Sequence, residues 1–302
     1  MTTAHPKQRL IQKEAVMTLP HDTNLIAVFK TLLESAPPAG KQKEQVIQDF
    51  LEEHTELIPT PNLLNHHLHM NSIVTKFRLS TAITTDYLYI TKSSDSWRIT
   101  LVELESSDKD IFTKNTKTST HTAEFNAAVS QVVNWKIFLD KNKQEAIRPL
   151  KPLLTPTPLD RIEFHYQLII GRSANKNLSD NRKELFQYAA KTNNIDILTY
   201  DSLMSYYENF GPYKKNVLHS LKEHFGFKRL HVMPKGIFAY LGPGQFFLSS
   251  DDEAMLKDAG YEIDKWKKGD PLIFNDKHAR STCDEHCKNG TLLSSPYKKT
   301  ET

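Results

Sequence analysis

The sequence predicts a mixed α/β protein, a sheet flanked by helices, with a helical addition before it and a further region after it. Three observations predict it. Apolar residues switch between helical and alternating periodicity along the chain, and clusters of Pro, Gly and polar residues separate the segments. The resulting order from about Gln42 to Met204 is helix, three strands, helix, strand, helix, strand.

Thr23 to Glu34 reads as a short helix, ended by Ala36, Pro37, Pro38, Ala39 and Gly40. Lys41 to Ile58 reads as an amphipathic helix, with Val46, Ile47, Phe50, Leu51, Leu57 and Ile58 at helical spacing and Pro59 and Pro61 stopping it. Ser72 to Leu79, Tyr87 to Thr91 and Trp97 to Glu105 are rich in β-branched and aromatic residues and read as a meander of three strands. Thr122 to Asp140 returns to helical periodicity, with Phe125, Ala128, Val129, Val132, Trp135 and Leu139 as its stripe, read as core packing. After a Pro-rich connection, Arg161 to Gly171 carries the apolar run of a buried strand. A helix from Asp180 to Lys191 and a strand from Ile195 to Thr199 follow. Beyond Gly211 the elements shorten around Gly236, Gly242, Pro243 and Gly244. The chain therefore divides into a helical extension over 1–40, a core over 41–210 and an accessory region over 211–302.

Bulk properties narrow the function. No apolar run approaches the ~20 residues of a membrane span, and the mixed-charge N-terminus lacks the apolar stretch of a secretory signal, so a cytoplasmic protein is expected. Two cysteines in 302 residues are too few for a disulfide framework and make redox chemistry a poor candidate. A net charge of +3 does not by itself indicate nucleic-acid binding. Lys214, Lys215, Lys222, Lys228, Arg229 and Lys235 form a local basic stretch, read first as a solvated helix surface, with a phosphate-contacting patch as the alternative. His278, Cys283, His286 and Cys287 lack a standard zinc-ligand spacing and read as a polar tail. His66, His67 and His69 read as loop residues before a strand.

The chemistry concentrates at one strand end. In Val102-Glu103-Leu104-Glu105, the two-residue period of a strand puts Glu103 and Glu105 on one face, and Asp86 opens the preceding strand. Clustered carboxylates repel unless a cation neutralises them, and hard oxygen ligands suit Mg²⁺. Glu124 and Gln131 share a face of the following helix, from which the Gln131 amide can orient a water or phosphate oxygen. Glu53, at the spacing of Val46, Phe50 and Leu57, is expected to face the core side as a further metal or water ligand.

An aspartate opening one strand, Glu-x-Glu ending the next and a following helix with Gln resemble the core of the PD-(D/E)XK nuclease superfamily. More specifically, Thr85-Asp86-Tyr87-Leu88, Val102-Glu103-Leu104-Glu105, Ile111-Phe112-Thr113-Lys114, Thr122-Ala123-Glu124-Phe125-Asn126 and Gln131-Val132-Val133-Asn134-Trp135 resemble the Shedu anti-phage defence proteins. The likeness covers about Phe50 to Met204 and continues through Gly171-Arg172 and Leu198-Thr199-Tyr200-Asp201. It implies a restriction-endonuclease-like fold, a Mg²⁺- or Mn²⁺-dependent endonuclease acting on DNA in bacterial defence, and a homo-oligomer. Within it Asp86 and Glu103 would hold the metal and Gln131 would support them. The superfamily usually has Lys where this chain has Glu105, so Glu105 would activate the attacking water or complete a second metal site. The alternative is a catalytically silent nucleic-acid-binding or sensor module on the same fold. Arg172 is read either as a phosphate contact or as half of a salt bridge.

Overall fold

The computed structural model describes residues 20–272, except 82, 116, 155–160, 211–212, 222–223, 232–236 and 271. The His278, Cys283, His286 and Cys287 group lies outside the described residues. Helices α1 (Thr23–Glu34) and α2 (Lys43–Glu53) precede the meander β1 (Leu68–Thr75), β2 (Tyr87–Lys92) and β3 (Trp97–Leu104). Then come α3 (Ala123–Ile147), β4 (Ile162–Ile169), α4 (Ser173–Lys176), α5 (Asp180–Asn193), β5 (Asp196–Leu198) and α6 (Tyr200–Asn209). The hairpin β6 (Asn216–Leu221) and β7 (His224–Arg229), the short β8 (Phe246–Phe247), and helices α7 (Ser250–Asp258) and α8 (Ile263–Trp266) complete the described chain.

The strands form a single mixed sheet of eight, in the order β5-β4-β3-β2-β1-β6-β7-β8. β1, β2 and β3 are antiparallel, whereas β4 and β5 continue parallel to β3 through helical crossovers. On the other side, β6 pairs parallel with β1. The described residues after 211 thus extend the sheet beyond β1, and none of their strands lies between the strands that carry Asp86 and Glu103.

Strand alternation creates two cores. Leu88, Ile90, Trp97, Ile99 and Leu101 pack on one face with Phe125, Val132 and Trp135 of α3 and with Phe186 of α5. Tyr87, Tyr89, Val102 and Leu104 point the other way, against Phe29, Leu33, Ile47 and Leu51 of α1 and α2 and Tyr200 and Leu203 of α6. With helices covering both faces, β2 is buried along its whole length. No helix among the described residues is long and apolar enough to cross a membrane.

α1 begins at an Asp22 cap whose carboxylate accepts from the backbone N–H of Asn24 and Leu25. α3 starts where the Thr122 hydroxyl accepts from Phe125 N–H, and it bends at Asn142, whose φ/ψ of −126°/31° is not helical. The basic stretch after 213 forms the β6–β7 hairpin and not the helix surface its charges suggested. Two of its cations face α2: Lys228 pairs with Glu52 at 2.7 Å and Arg229 with Glu53 at 2.5 Å.

Candidate active site

The pairing of β2 with β3 runs from Tyr87 opposite Val102 to Lys92 opposite Trp97. One residue further, Asp86 N–H donates to Val102 O at 3.1 Å, which brings Asp86 alongside Glu103. Opposed residues of an antiparallel pair share a face. Trp97, Ile99 and Leu101 already fill the α3 side, so the same alternation carries Glu103 to that side at the mouth of the core.

Each acid is held differently. Asp86 Oδ2 accepts from Leu104 N–H at 2.7 Å, while its Oδ1 pairs with Lys76 Nζ at 2.5 Å. Glu103, only 8% exposed, accepts at Oε1 from the Gln131 side-chain amide. Glu105 pairs through Oε2 with Lys109 Nζ, and Lys109 also lies 3.6 Å from Glu44 of α2. Tyr200 O–H donates to the Glu105 carbonyl at 2.7 Å and ties the strand end to α6.

Gly171 positions Lys109. Its φ of +61° favours glycine, and a Cβ there would lie 2.3 Å from Lys109 O, so only glycine lets the two backbones approach. Gly171 N–H also donates to Ser106 O at 3.2 Å, which pins the loop that carries Lys109 back to Glu105.

The electrostatics follow from crowding acids at a buried edge. Burial first, then the charges of Asp86 and Glu105, push the Glu103 carboxyl from 4.5 up to about 9, against the opposing pull of Lys76. Burial also raises Glu105, and the hydrogen bond from Lys109 offsets only part of that rise. Burial pulls the Lys109 ammonium down, but its contacts with Glu105 and Glu44 outweigh this and raise it. Ionising Glu103 at neutral pH therefore calls for additional positive charge.

Among the described residues, no group of three or more His, Cys, Asp or Glu is placed to hold a metal ion. Mg²⁺ is typically held by one or two carboxylates plus water and substrate phosphate oxygens. The donor set fits such an ion. Asp86 and Glu103 are neighbouring oxygen donors, and because burial favours the protonated form of Glu103, a cation held there would take the place of its proton.

The structure brings Asp86, Glu103, Glu105 and Gln131 together, but not Glu53. Glu53 is exposed and paired with Arg229, while its neighbour Glu52 is 1% exposed and accepts from the Thr75 hydroxyl at 2.7 Å. Ile47 and Leu51 set the buried stripe of α2, which turns Glu53 outward, so Glu53 is removed from the metal-ligand set. The α2 acid that acts on Glu103 and Glu105 is Glu44. Glu124 is exposed. Arg172 takes the salt-bridge role, gripping Asp201 at 2.9 Å.

Sequence reasoning missed Lys76, Lys109 and Glu44, and read Gly171 only as a strand end and part of the family likeness. Lys109 was the most legible of them, since it follows Glu105 at a spacing of four in a short polar loop. Lys76 gave no signal, because nothing in the sequence shows that the chain turns directly after β1.

The geometry defines a mixed α/β protein whose acids cluster at one end of two adjacent antiparallel strands, under a helix that presents an amide to them. The family model for the C-terminal region of the Shedu protein SduA matches residues 41–204, more than half of the chain and every strand from β1 to β5. The chain belongs to that family. Among solved structures, a partial likeness runs to the restriction endonuclease FokI, at 11% identity and a TM-score of 0.31, covering 60% of this chain and 27% of that one. No curated protein matches the sequence.

Proposed function

We propose that the chain is a divalent-metal-dependent deoxyribonuclease that hydrolyses phosphodiester bonds in defence against phage. The observation that carries this reading is the convergence of Asp86, Glu103 and Glu105, with Glu103 pushed up to about 9 by burial and by the other two acids. Family membership supports the defence role, and cytoplasmic action as a homo-oligomer belongs to the same reading.

Asp86 and Glu103 would hold Mg²⁺ or Mn²⁺, which when bound supplies Lewis-acid polarisation of a phosphate and a more acidic water. Leu104 N–H fixes one oxygen of Asp86 and so sets the direction in which the other points. Gln131 does the same for Glu103 with a neutral donor, which orients the carboxylate without cancelling its charge. Glu105 accepts the proton of the attacking water, a role suited to a carboxyl raised by burial. Lys109 compensates the charge of Glu105 and supplies an ammonium near the place where the superfamily usually has its lysine.

Incubating the purified chain with supercoiled, nicked and linear DNA, with and without Mg²⁺, tests the reading. Cleavage that needs the metal and disappears in Glu103→Ala is the expected result. DNA binding without cleavage under any metal would instead favour a silent binding module.

A further inference from the structure

Lys76 occupies an unusual place. It follows β1 directly with φ of +47°, a conformation that side-chain-bearing residues rarely adopt. Its backbone N–H donates to Asp86 O at 2.9 Å, and its ammonium lies 2.5 Å from Asp86 Oδ1, so backbone and side chain hold the same residue. The side chain is nonetheless 49% exposed. Beyond it, Phe77 and Leu79 are buried, whereas Arg78 is exposed and bridges back to Thr84. The turn thus anchors itself with alternate apolar residues, leaves Arg78 outward and presents Lys76 to Asp86.

Building on the metal-dependent reading above, we propose that Lys76 is an exchangeable counter-ion. It neutralises Asp86, yields that carboxylate to a divalent cation, and moves onto a phosphate of the DNA backbone, which couples metal binding to DNA binding. Two cations cannot share Asp86 Oδ1 at contact distance without strong repulsion. The other oxygen of Asp86 is committed to Leu104 N–H, so a metal approaching Asp86 meets the lysine first. A long, half-exposed stem lets the ammonium leave without unfolding the turn that Phe77 and Leu79 anchor. A backbone phosphate is its natural new partner, because a lysine acts there as a point charge with freely rotating donors.

The test is Mn²⁺ calorimetry on the full chain, alone and with a phosphorothioate duplex, for wild type, Lys76→Met and Lys76→Arg. Without DNA, Lys76→Met should bind Mn²⁺ about tenfold more tightly than wild type, as expected for removing a partly screened competing charge. The duplex should tighten Mn²⁺ binding in all three through its phosphate oxygens, but by a clearly smaller factor in Lys76→Met than in wild type and Lys76→Arg. Duplex binding measured with Mn²⁺ present should also lose about one unit of salt slope in Lys76→Met. Should Lys76→Met not fold, Lys76→Gln makes the same comparison. Equal or weaker Mn²⁺ binding by a folded neutral variant overturns the exchange and leaves the metal site standing. Absence of Mn²⁺ binding by wild type overturns both.

Discussion

The chain carries two groups of acids that meet opposite fates. At the end of α2 and just beyond it, Glu52, Glu53 and Glu56 are each matched by a cation of the β6–β7 region. Lys228 lies 2.7 Å from Glu52, Arg229 lies 2.5 Å from Glu53, and Lys214 lies 3.1 Å from Glu56, the last a charge contact without hydrogen-bond alignment. At the end of β2 and β3, Glu103 has a neutral amide and two neighbouring acids, and among the described residues no cation pairs with it. The first group fastens helix to sheet. In the second, burial and repulsion are left uncompensated at one carboxyl, which is the arrangement expected of groups held for a ligand and not for stability.

Substitutions can break this contrast. Asp86→Asn should reduce metal-dependent cleavage to background while leaving the denaturation midpoint nearly unchanged. Glu52→Gln should do the reverse, costing about 2–4 kcal/mol in chemical denaturation because buried partners lose their charge complement, with cleavage by the folded fraction retained. If Glu52→Gln abolished cleavage without a stability cost, the division of roles would fail. Glu105→Ala should slow cleavage about 10²–10⁴-fold while keeping most Mn²⁺ binding, as for a group that handles a proton and is not a principal ligand. Rates close to wild type would remove Glu105 from the mechanism.

Smaller effects sharpen the picture. Gly171→Ala forces a side chain into a left-handed φ and against Lys109 O. It should cost about 1–3 kcal/mol and lower cleavage by shifting the Lys109 loop, as denaturation and rate measurements on one preparation would show. pH separates the regions further. The folded Glu103 carboxyl is raised from 4.5 to about 9, so between these values the folded chain binds more protons than the unfolded one. Its contribution to stability is therefore greatest at low pH and declines as pH rises through that window, by at most about 1.4 kcal/mol per unit. Glu103→Gln should flatten this decline in melts across the window, and an unaltered slope would place its origin elsewhere.

Much of the fold was legible because periodicity is strong where both faces of the sheet are covered. α1 spans Thr23–Glu34 as its breaker residues predicted, and β2 and β3 fall within one residue of expectation. β1 begins earlier than its apolar run suggested, since His69 and Asn71 lie in a strand that bulges at Met70 and Asn71 with φ of 55° and 48°. α6 went unread although Tyr200, Leu203, Met204 and Tyr207 form its buried stripe, because its start is capped by Thr199 with Ser202 and not by a more conspicuous acid. The gathering of Asp86, Glu103, Glu105 and Gln131 was legible from strand alternation and the following helix. The error at Glu53 came from a stripe misplaced by one residue, since the apolar pattern of α2 does not reveal that its polar face docks on Lys228 and Arg229 of β7. Lys76 and Lys109 reach the acids through turns, and turns leave no period to read.

On the proposed mechanism Asp86 and Glu103 take up a divalent cation as a pair, with Glu103 giving up its proton to do so. Titrating Mn²⁺ into the protein at pH 7 in buffers of different ionisation enthalpy measures proton release directly. Wild type should bind Mn²⁺ and release about one proton per ion, while Glu103→Gln releases none and binds far more weakly. Tight binding by wild type without proton release, or unimpaired binding by Glu103→Gln, would contradict it.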